Sequence, residues 1–375
     1  MKRKSILITL CIILVALTAA CGSDAANTPG TSGNADSSGS ANASGDAGKE
    51  TKPDKLPILG VSIYSANDNF NSYIGKAITN ASKGIFDMNV EDAQYDQSTQ
   101  NNQVDTMLAK GAKVVALSVV DVTAAPRLIE KVREAGDIPI IFFNKEITEP
   151  NVMESYDKAY FVGSTGGDYG ATIQGQMIVE AWQNNPAFDK NGDGIIQIVN
   201  LMGDPGHTAA APRAKFVKQA IEDAGLQYEL LAEDTGMWQT ANAKDKMDAW
   251  ISKYGDKIEF IIAANDAMAL GALASIQAAG FNTNGINSDK YIPIIGIDAL
   301  PEMLSKIESG EVLGSVLQDA KTQGEVVVAM AKNLVEGKDP MDGLDFELDE
   351  AKAVRIPYKP ITVENLDEAK ATYAM

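Results

Sequence analysis

Aspartate and asparagine side chains follow four of the short apolar segments of this 375-residue chain. The four positions are Asp68, Asn144, Asn265 and Asp298. Each side chain offers fixed hydrogen-bonding atoms, and a polyhydroxyl ligand needs donors and acceptors because every hydroxyl both donates and accepts. Asp and Asn at such junctions are also common helix N-caps, and for any one position the two interpretations carry equal weight. Four such positions together favour a binding site for a hydroxylated small molecule.

A histidine, an arginine and two aromatic residues extend this candidate set. His207 is the only histidine of the chain, so no second one is present to build a metal site or a nucleophile relay. Arg213 follows six residues later and supplies a fork of donors that could pair structurally or bind a sugar oxygen. Phe70 and Trp238 stand outside the apolar segments, where their rings could pack in a core or stack on the faces of a pyranose. The set favours binding over catalysis.

Residues 189–197 have the oxygen spacing of a calcium-binding loop. The predicted ligands are the side chains of Asp189, Asn191, Asp193 and Gln197 and the main-chain carbonyl of Ile195. Position twelve of the loop is Asn200, where an EF-hand has a bidentate glutamate, so a carboxylate from elsewhere must complete the site. Without that carboxylate the segment is a plain Asp/Asn/Gly turn. We expect a structural Ca²⁺ that fastens the loop.

The elements that must position these residues form a regular alternation. Short apolar segments lie at residues 58–63, 114–120, 138–143, 159–162, 195–202, 228–232, 258–263, 292–297 and 312–317. Amphipathic stretches separate them, a pattern typical of buried parallel strands covered by helices, and it predicts an α/β fold. The region exceeds the roughly 250 to 300 residues at which one core stops growing, so we expect two lobes. In such sheets ligands bind beyond the carboxyl ends of the strands, where the candidate residues lie.

The N-terminus predicts export. Residues 1–20 have a basic start and an apolar run shorter than the roughly 20 residues that span a bilayer, as in a secretory signal peptide. Cys21 follows small residues and resembles a lipobox cysteine, although Thr18 stands where an aliphatic residue is usual, and simple cleavage is the alternative. Residues 24–52 contain no aromatic residue and no Leu, Ile, Val or Met, which predicts a flexible linker. The formal net charge of -19 argues against nucleic acid as a partner.

These motifs resemble the periplasmic galactose/glucose-binding protein family, the substrate-binding subunits of methyl-galactoside ABC transporters. The similarity runs from about residue 56 to residue 366 and is carried by residues 68–70, 142–146, 155–160, 234–250 and 265–269. The resemblance implies a type I periplasmic binding protein fold, with two parallel-sheet α/β lobes joined by a three-strand hinge. The implied segments are a signal peptide (1–20), a lipidated N-terminus and linker (21–54), an N-terminal lobe (55–163 and 320–355) and a C-terminal lobe (164–319 and 356–375).

The resemblance also implies roles for individual residues. The implied hydrogen-bonding residues are Asp68, Asn144, His207, Arg213, Asn265, Asp298 and Gln318, and the implied stacking residues are Phe70 and Trp238. Glu259 matches the distant glutamate that completes the calcium loop of the family. Two positions depart from the family pattern, since Ala209 replaces an aspartate near the anomeric hydroxyl and Gln318 replaces an asparagine. The hexose and its anomeric substituent therefore stay open.

The function that the resemblance implies is that of a substrate-binding lipoprotein of an ABC sugar importer. We expect a monomer that binds D-galactose, D-glucose or methyl-galactoside between its lobes and delivers it to the permease, without catalysis. We place it outside the cytoplasm with a lipid anchor as its only membrane attachment, on a Gram-positive cell surface or in a periplasm. One alternative is a sensor that presents its closed form to a chemoreceptor or kinase. A glycoside hydrolase using Asp68 and Asp298 is a less favoured alternative.

Overall fold

The computed structural model describes residues 55–374, which form two six-stranded sheets flanked by helices. The strands of this region are β1 (Leu59–Ile63), β2 (Val90–Asp92), β3 (Val114–Leu117), β4 (Ile140–Phe143), β5 (Ala159–Ser164), β6 (Ile195–Met202), β7 (Gln227–Thr235), β8 (Phe260–Ala263), β9 (Ile294–Asp298), β10 (Gly314–Leu317), β11 (Ala353–Ile356) and β12 (Lys359–Ile361). The α-helices are α1 (Asn69–Ala81), α2 (Gln97–Ala109), α3 (Ala125–Glu134), α4 (Gly167–Asn184), α5 (Ala210–Asp223), α6 (Thr240–Tyr254), α7 (Asp266–Ala278), α8 (Pro301–Glu308), α9 (Ala320–Val335) and α10 (Leu366–Tyr373).

Each sheet is built mainly of parallel strands. The first has the order β11-β5-β4-β3-β1-β2 and the second the order β12-β10-β9-β8-β6-β7. All pairs are parallel except that of β12 with β10. Parallel strands need covered faces, and the helices between successive strands provide the cover. The predicted α/β class with two lobes is confirmed.

Alternation along the central strands supplies an apolar core on both faces of each sheet. In β4, Ile141 and Phe143 join the core beneath α1 and α9, whereas Ile140 and Phe142 join the core on the side of α2 and α3. All four side chains are fully buried. A strand that is apolar throughout is therefore stable only at the centre of such a sheet, because successive side chains point to opposite faces.

The chain passes between the two sheets three times. It crosses after β5 into α4, after β10 into α9, and between β11 and β12. The first lobe therefore contains α9 and β11 from late in the sequence, and the second lobe contains β12. The predicted hinge of three connections agrees with this topology, while the residue-level limits of the lobes stay a prediction.

The nine predicted apolar segments each overlap one strand, and the three unpredicted strands, β2, β11 and β12, all lie at sheet edges. These three strands have only three or four residues each, and β12 contains Pro360, which has no N–H to donate to a ladder. No helix within residues 55–374 combines the length and apolar character needed to cross a bilayer. The predicted signal peptide, the linker up to residue 54 and Cys21 lie outside the described residues.

Candidate functional site

A cavity of about 210 Å³ lies between the carboxyl ends of the strands of the two sheets. The residues predicted for the site that line it are Asp68, Phe70, Asn144, His207, Arg213, Trp238, Asn265, Asp298 and Gln318. The structure thus brings all nine together, although they are spread over 250 positions of the chain. Parallel strands make this possible because their carboxyl ends share one edge of each sheet.

Asp68 and Asn265 act as helix caps and also line the cavity. The Asp68 carboxylate accepts from the Asn71 N–H at 2.8 Å at the start of α1, and the Asn265 carbonyl oxygen accepts from the Met268 N–H at 3.0 Å at the start of α7. The Asn265 amide nitrogen lies 3.3 Å from the Trp238 main-chain oxygen. The capping and binding interpretations are therefore compatible, since the cap fixes one atom and orients the rest of the group toward the cavity.

Asn144 and Asp298 have backbone conformations that L-residues rarely adopt. Asn144 follows β4 with φ 63°, and Asp298 ends β9 with φ 125°. Neither side chain caps a helix. Such conformations cost on the order of 1 kcal/mol or more and concentrate at functional sites, where the fold holds a side chain in a required direction. For these two residues the structure favours the binding interpretation over capping.

Arg213 occupies the centre of the cavity lining. Its side chain is buried, and Nη1 donates to the Ala264 carbonyl at 2.6 Å. Nη2 donates to Oε1 of Gln318 at 2.9 Å and lies 3.2 Å from the Tyr358 hydroxyl. The Nε–H is buried without a protein partner within residues 55–374. Most buried donors are paired, so this N–H lacks the partner that such groups usually have.

His207 and Trp238 form one wall of the cavity. Their rings meet edge to face with centroids 5.3 Å apart, and the Arg213 guanidinium lies 5.6 Å from the indole centroid. Burial lowers the pKa of His207 well below its ordinary value, and the charges of Lys145 and Arg213 lower it further. Nδ1 accepts from the Ala209 N–H at 3.1 Å, so the neutral ring carries its proton on Nε2 as a donor. The Trp238 N–H is a second buried donor without a partner in the described chain.

Gly203 fixes the position of the Trp238 ring. A Cβ atom at residue 203 would lie 2.0 Å from the indole atom Cη2, far inside contact distance. We therefore expect Gly203→Ala to displace the indole and to weaken hexose binding about tenfold or more, measured by calorimetric titration. Gly206→Ala is the matched control in the same loop, because its added Cβ would meet only the flexible Asp204 side chain, at 3.3 Å. Equal hexose affinities for the two variants would contradict this role of Gly203.

Two carboxyl groups, Asp266 and Asp298, are buried side by side at the end of the second sheet. Asp266 accepts from the Leu300 N–H at 2.7 Å and from the Ser315 hydroxyl at 2.6 Å. Burial raises the pKa of Asp266 to about 7. Burial and then the charge of Asp266 raise the pKa of Asp298 well above its ordinary value, while Arg213 lowers both pKa values. The pair therefore retains a proton more readily than exposed carboxyls do.

This pair predicts a pH dependence of stability. The folded protein keeps a proton that the unfolded chain has already released, so the free energy of unfolding should fall as pH rises from the ordinary value of 3.8 through about 7. Asp298→Asn removes one member, and Asn accepts a positive φ, so we expect a smaller fall. Urea unfolding of the sugar-free protein from about pH 5 to about pH 8 measures both slopes. Parallel slopes for the two proteins would contradict the assignment.

Protonation of the buried His207 changes stability with pH in the opposite direction. Its effect must be distinguished from that of the carboxyl pair. Because the pKa of His207 is lowered on folding, the unfolded chain binds a proton that the folded protein does not, and stability falls as pH drops through 6.5. This contribution is the same in the parent protein and in Asp298→Asn. The difference between their pH profiles therefore reports the carboxyl pair.

Several residues of the cavity lining were not predicted. They are Tyr64, Glu146, Phe161, Ser164, Thr148, Gly166, Gly167, Asp168, Thr208, Pro212 and Tyr358. Tyr64 directly follows β1, so the strand-end rule could have found it, and its hydroxyl lowers the pKa of Asp68 against the stronger effect of burial. Tyr358 lies in the crossing between β11 and β12, where no local pattern marks a site.

Ala209 and Gln318, the two departures from the family pattern, both line the cavity. Ala209 presents only a methyl group, and a Cβ added at the adjacent Gly167 would lie 3.0 Å from it. Oε1 of Gln318 accepts from Arg213 at 2.9 Å, which leaves the amide nitrogen of Gln318 to donate to a ligand. The cavity lining therefore carries only a small side chain at Ala209. Near Gln318 it offers hydrogen-bond donors.

The predicted calcium loop folds with its side chains facing one another. The amide nitrogens of Asn191 and Gln197 lie 2.9 and 3.1 Å from Oδ2 of Asp193. Glu259 lies directly before β8, the strand that pairs with β6. Its carboxylate accepts from the N–H groups of Lys190 and Gln197 at 2.7 and 3.1 Å. Rotating each of these two side-chain amides of Asn191 and Gln197 by half a turn would exchange its nitrogen and oxygen, so that the oxygen points into the loop. The residues of the loop are therefore compatible with a calcium ion.

The acidic side chains at the loop do not form a metal-binding cluster by themselves. Within residues 55–374 no group of three or more His, Cys, Asp or Glu side chains is arranged to hold a metal. Calcium also takes amide and main-chain oxygens, which is the type of ligand that Asn191, Gln197 and the Ile195 carbonyl supply. The Asp189 carboxylate accepts from the Gly192 and Gly194 N–H groups at 2.8 and 3.0 Å, which tightens the turn.

Two lobes, three connections and a polar cavity between strand ends define a binding protein for a small hydroxylated ligand. Residues 59–339 match the periplasmic binding protein domain, and the chain belongs to this family. It is a periplasmic sugar-binding protein of the ABC transporter family. The resemblance, the type I fold and the sugar-binding function predicted from the sequence are confirmed, and membership of the family places the protein outside the cytoplasm.

The relatives agree on the class of ligand. The D-galactose/methyl-galactoside binding periplasmic protein MglB of Haemophilus influenzae is 44% identical over 313 residues, which cover 83% of this chain and 91% of the relative. The xylitol-binding protein of Mycolicibacterium smegmatis is 26% identical, and the matched region covers 75% of this chain and 73% of the relative. An ABC transporter solute binding protein structure from Bacillus halodurans with bound myo-inositol covers 85% of this chain and 99% of its own, with 28% identity and a TM-score of 0.68. All three are named as binding proteins.

Proposed function

We propose that this chain binds D-galactose, D-glucose or a methyl-galactoside between its lobes and delivers it to the permease of an ABC importer. The observation that carries the proposal is the convergence of polar groups from both lobes on one cavity, among them Asp68 and Asn144 from the first lobe and Arg213 and Asn265 from the second. The 44% identity to a D-galactose/methyl-galactoside binding protein supports a hexose over other polyols.

The geometry explains how the cavity would hold a sugar. Asp68 and Asp298 accept from hydroxyl groups, while Arg213, Asn265 and the neutral His207 donate to them. The rings of Phe70 and Trp238 also line the cavity and suit the C–H faces that a pyranose exposes once its hydroxyls are paired. No covalent step is involved.

Closure follows from the distribution of these residues over both lobes. Asp68 and Asn144 belong to the first lobe and His207, Arg213 and Asn265 to the second. A sugar that contacts both sets interacts more strongly with the closed arrangement than with an open one, and binding therefore raises the closed population. We propose that the permease recognises this closed form. The same form could instead be presented to a chemoreceptor or a sensor kinase.

Isothermal titration calorimetry tests the ligand assignment. We expect binding of D-galactose, D-glucose or methyl β-D-galactoside, and weak or no binding of myo-inositol and xylitol, the ligand types of two relatives. Heat with myo-inositol or xylitol and none with a hexose would overturn the proposal. Release of nitrophenol from nitrophenyl galactoside would instead support a hydrolase, and we expect none.

We also propose that Cys21 carries a lipid that anchors a monomeric protein to the outer face of the cell membrane. The sequence around Cys21 supports this, since small residues precede the cysteine and a linker of small and polar residues follows it. Expression in a bacterial host with fractionation tests it. We expect the parent protein in the membrane fraction and Cys21→Ala in the soluble fraction, and equal partition of the two would contradict the anchor.

The calcium site gives a further prediction. We propose that Asp189, Asn191, Asp193, Gln197, Glu259 and the Ile195 carbonyl bind a structural Ca²⁺, supported by the oxygen spacing of residues 189–197 and by the contacts of Asn191, Gln197 and Glu259 at the loop. A chelator should then lower the melting temperature of the sugar-free protein, and added Ca²⁺ should restore it. Asp193→Asn should remove most of this response, whereas Asp256→Asn, outside the ligand set, should keep it. A parent melting temperature unaffected by the chelator would contradict the site.

A further inference from the structure

The C-terminal helix α10 lies at the boundary of the two lobes. It packs against α8 of the second lobe and α9 of the first. Tyr373, the last residue of the helix, contacts the apolar cores of both lobes. The helix is thus placed to influence the side of the cavity that is formed by the ends of β9 and β10.

The hydroxyl of Tyr373 reaches the main chain of two cavity-lining residues. It donates to the Asp298 carbonyl at 2.8 Å and lies 3.3 Å from the Gln318 carbonyl. Asp298 ends β9 with the strained φ of 125°, and Gln318 follows the neighbouring strand β10. Burial raises the pKa of Tyr373 well above its ordinary value, and the charges of Asp298 and Asp266 raise it further. The hydroxyl therefore stays protonated and remains a donor.

The ring of Tyr373 makes a contact that joins the lobes. It meets the ring of Tyr73 from α1 edge to face, with centroids 4.9 Å apart. The same tyrosine thus contacts the other lobe with its ring and the site with its hydroxyl.

We propose that Tyr373 is a positioning residue for sugar binding, whose hydroxyl holds the backbone of Asp298 and Gln318 in the conformation that directs their side chains into the cavity. The inference rests on the proposed sugar-binding function. Its competitor is a purely structural role, in which the hydroxyl stabilises the fold and leaves affinity unchanged.

Tyr373→Phe separates the two roles, because phenylalanine keeps the ring contacts and removes only the hydroxyl. Tyr254→Phe is the matched control, since the Tyr254 hydroxyl donates to the Leu231 carbonyl at 2.6 Å on α6 of the second lobe, away from the residues that line the cavity. We expect hexose affinity by calorimetry to fall about three- to tenfold in Tyr373→Phe and to stay at the parent value in Tyr254→Phe. Both variants should show comparable changes in melting temperature.

Hydrogen exchange of the sugar-free proteins supplies a readout that needs no ligand. Exchange of the amides at residues 298–300 and 318–320 should accelerate in Tyr373→Phe and not in Tyr254→Phe. Parent-like hexose affinity in Tyr373→Phe would overturn the inference while leaving the proposed function intact. If the parent protein binds no hexose, the proposed function fails, and unchanged exchange in Tyr373→Phe would then overturn the positioning role separately.

Discussion

Replacing Arg213 with methionine is expected to lower hexose affinity at least about a hundredfold, which corresponds to about 2.7 kcal/mol. The substitution removes the guanidinium of a residue that lines the cavity and leaves the Ala264 carbonyl and Oε1 of Gln318 without their donor. Buried groups that lose a charged partner cost about 2 to 5 kcal/mol. Calorimetric titration with the preferred hexose measures the loss, and circular dichroism verifies that the variant is folded.

Two further variants show whether the loss comes from the guanidinium itself. Arg213→Lys keeps the charge but cannot donate to Ala264, Gln318 and Tyr358 at once, so we expect it to remain closer to the methionine variant than to the parent. Arg127→Met is the control, since Arg127 is an exposed residue of α3 that pairs with Glu130 and does not line the cavity. Parent-like affinity in Arg213→Lys would show that charge alone suffices.

The second large effect is expected for Trp238→Leu, which should weaken hexose binding by about thirtyfold or more. Tryptophan in a buried contact commonly contributes 2 kcal/mol or more, and leucine retains bulk without a flat face. The substitution also removes the buried indole N–H and the edge-to-face contact with His207. Calorimetry measures the affinity.

A matched control distinguishes stacking on the sugar from general loss of packing. Trp182→Leu removes a tryptophan that packs on Phe260 in the second lobe, with ring centroids 6.2 Å apart, outside the cavity lining. We expect it to lower the melting temperature and to leave hexose affinity near the parent value. In fluorescence, the signal change on adding hexose should vanish in Trp238→Leu and persist in Trp182→Leu. Persistence in both variants would contradict the stacking role.

The sequence predicts the central strands and most of the cavity lining for one physical reason. Strands buried on both faces must be apolar throughout, so segments such as β4 and β8 are visible without tertiary information. Polar residues directly after them must then lie at the shared edge of the sheet. Asp68, Asn144, Asn265 and Asp298 are predicted by this rule alone.

The features that the sequence does not reveal depend on contacts between distant segments. Tyr358 reaches Arg213 across 145 positions because the last crossing returns the chain to the second lobe. The lowered pKa of His207 and the raised pKa values of Asp266 and Asp298 follow from burial, which a local pattern does not specify. Tyr373 carries no motif, and its two carbonyl partners become neighbours only when β9 and β10 pair.

The double use of Asp68 and Asn265 as caps and as cavity residues limits how this protein can change its ligand. Removing either cap costs about 1 kcal/mol of stability in addition to any change in binding. Substitutions at these two positions therefore reduce both stability and ligand affinity. Ala209 makes no side-chain hydrogen bond and lies at the same cavity. Substitutions that adapt the protein to a different glycoside, in nature or in a designed biosensor, should therefore accumulate at Ala209 before they reach the capping residues.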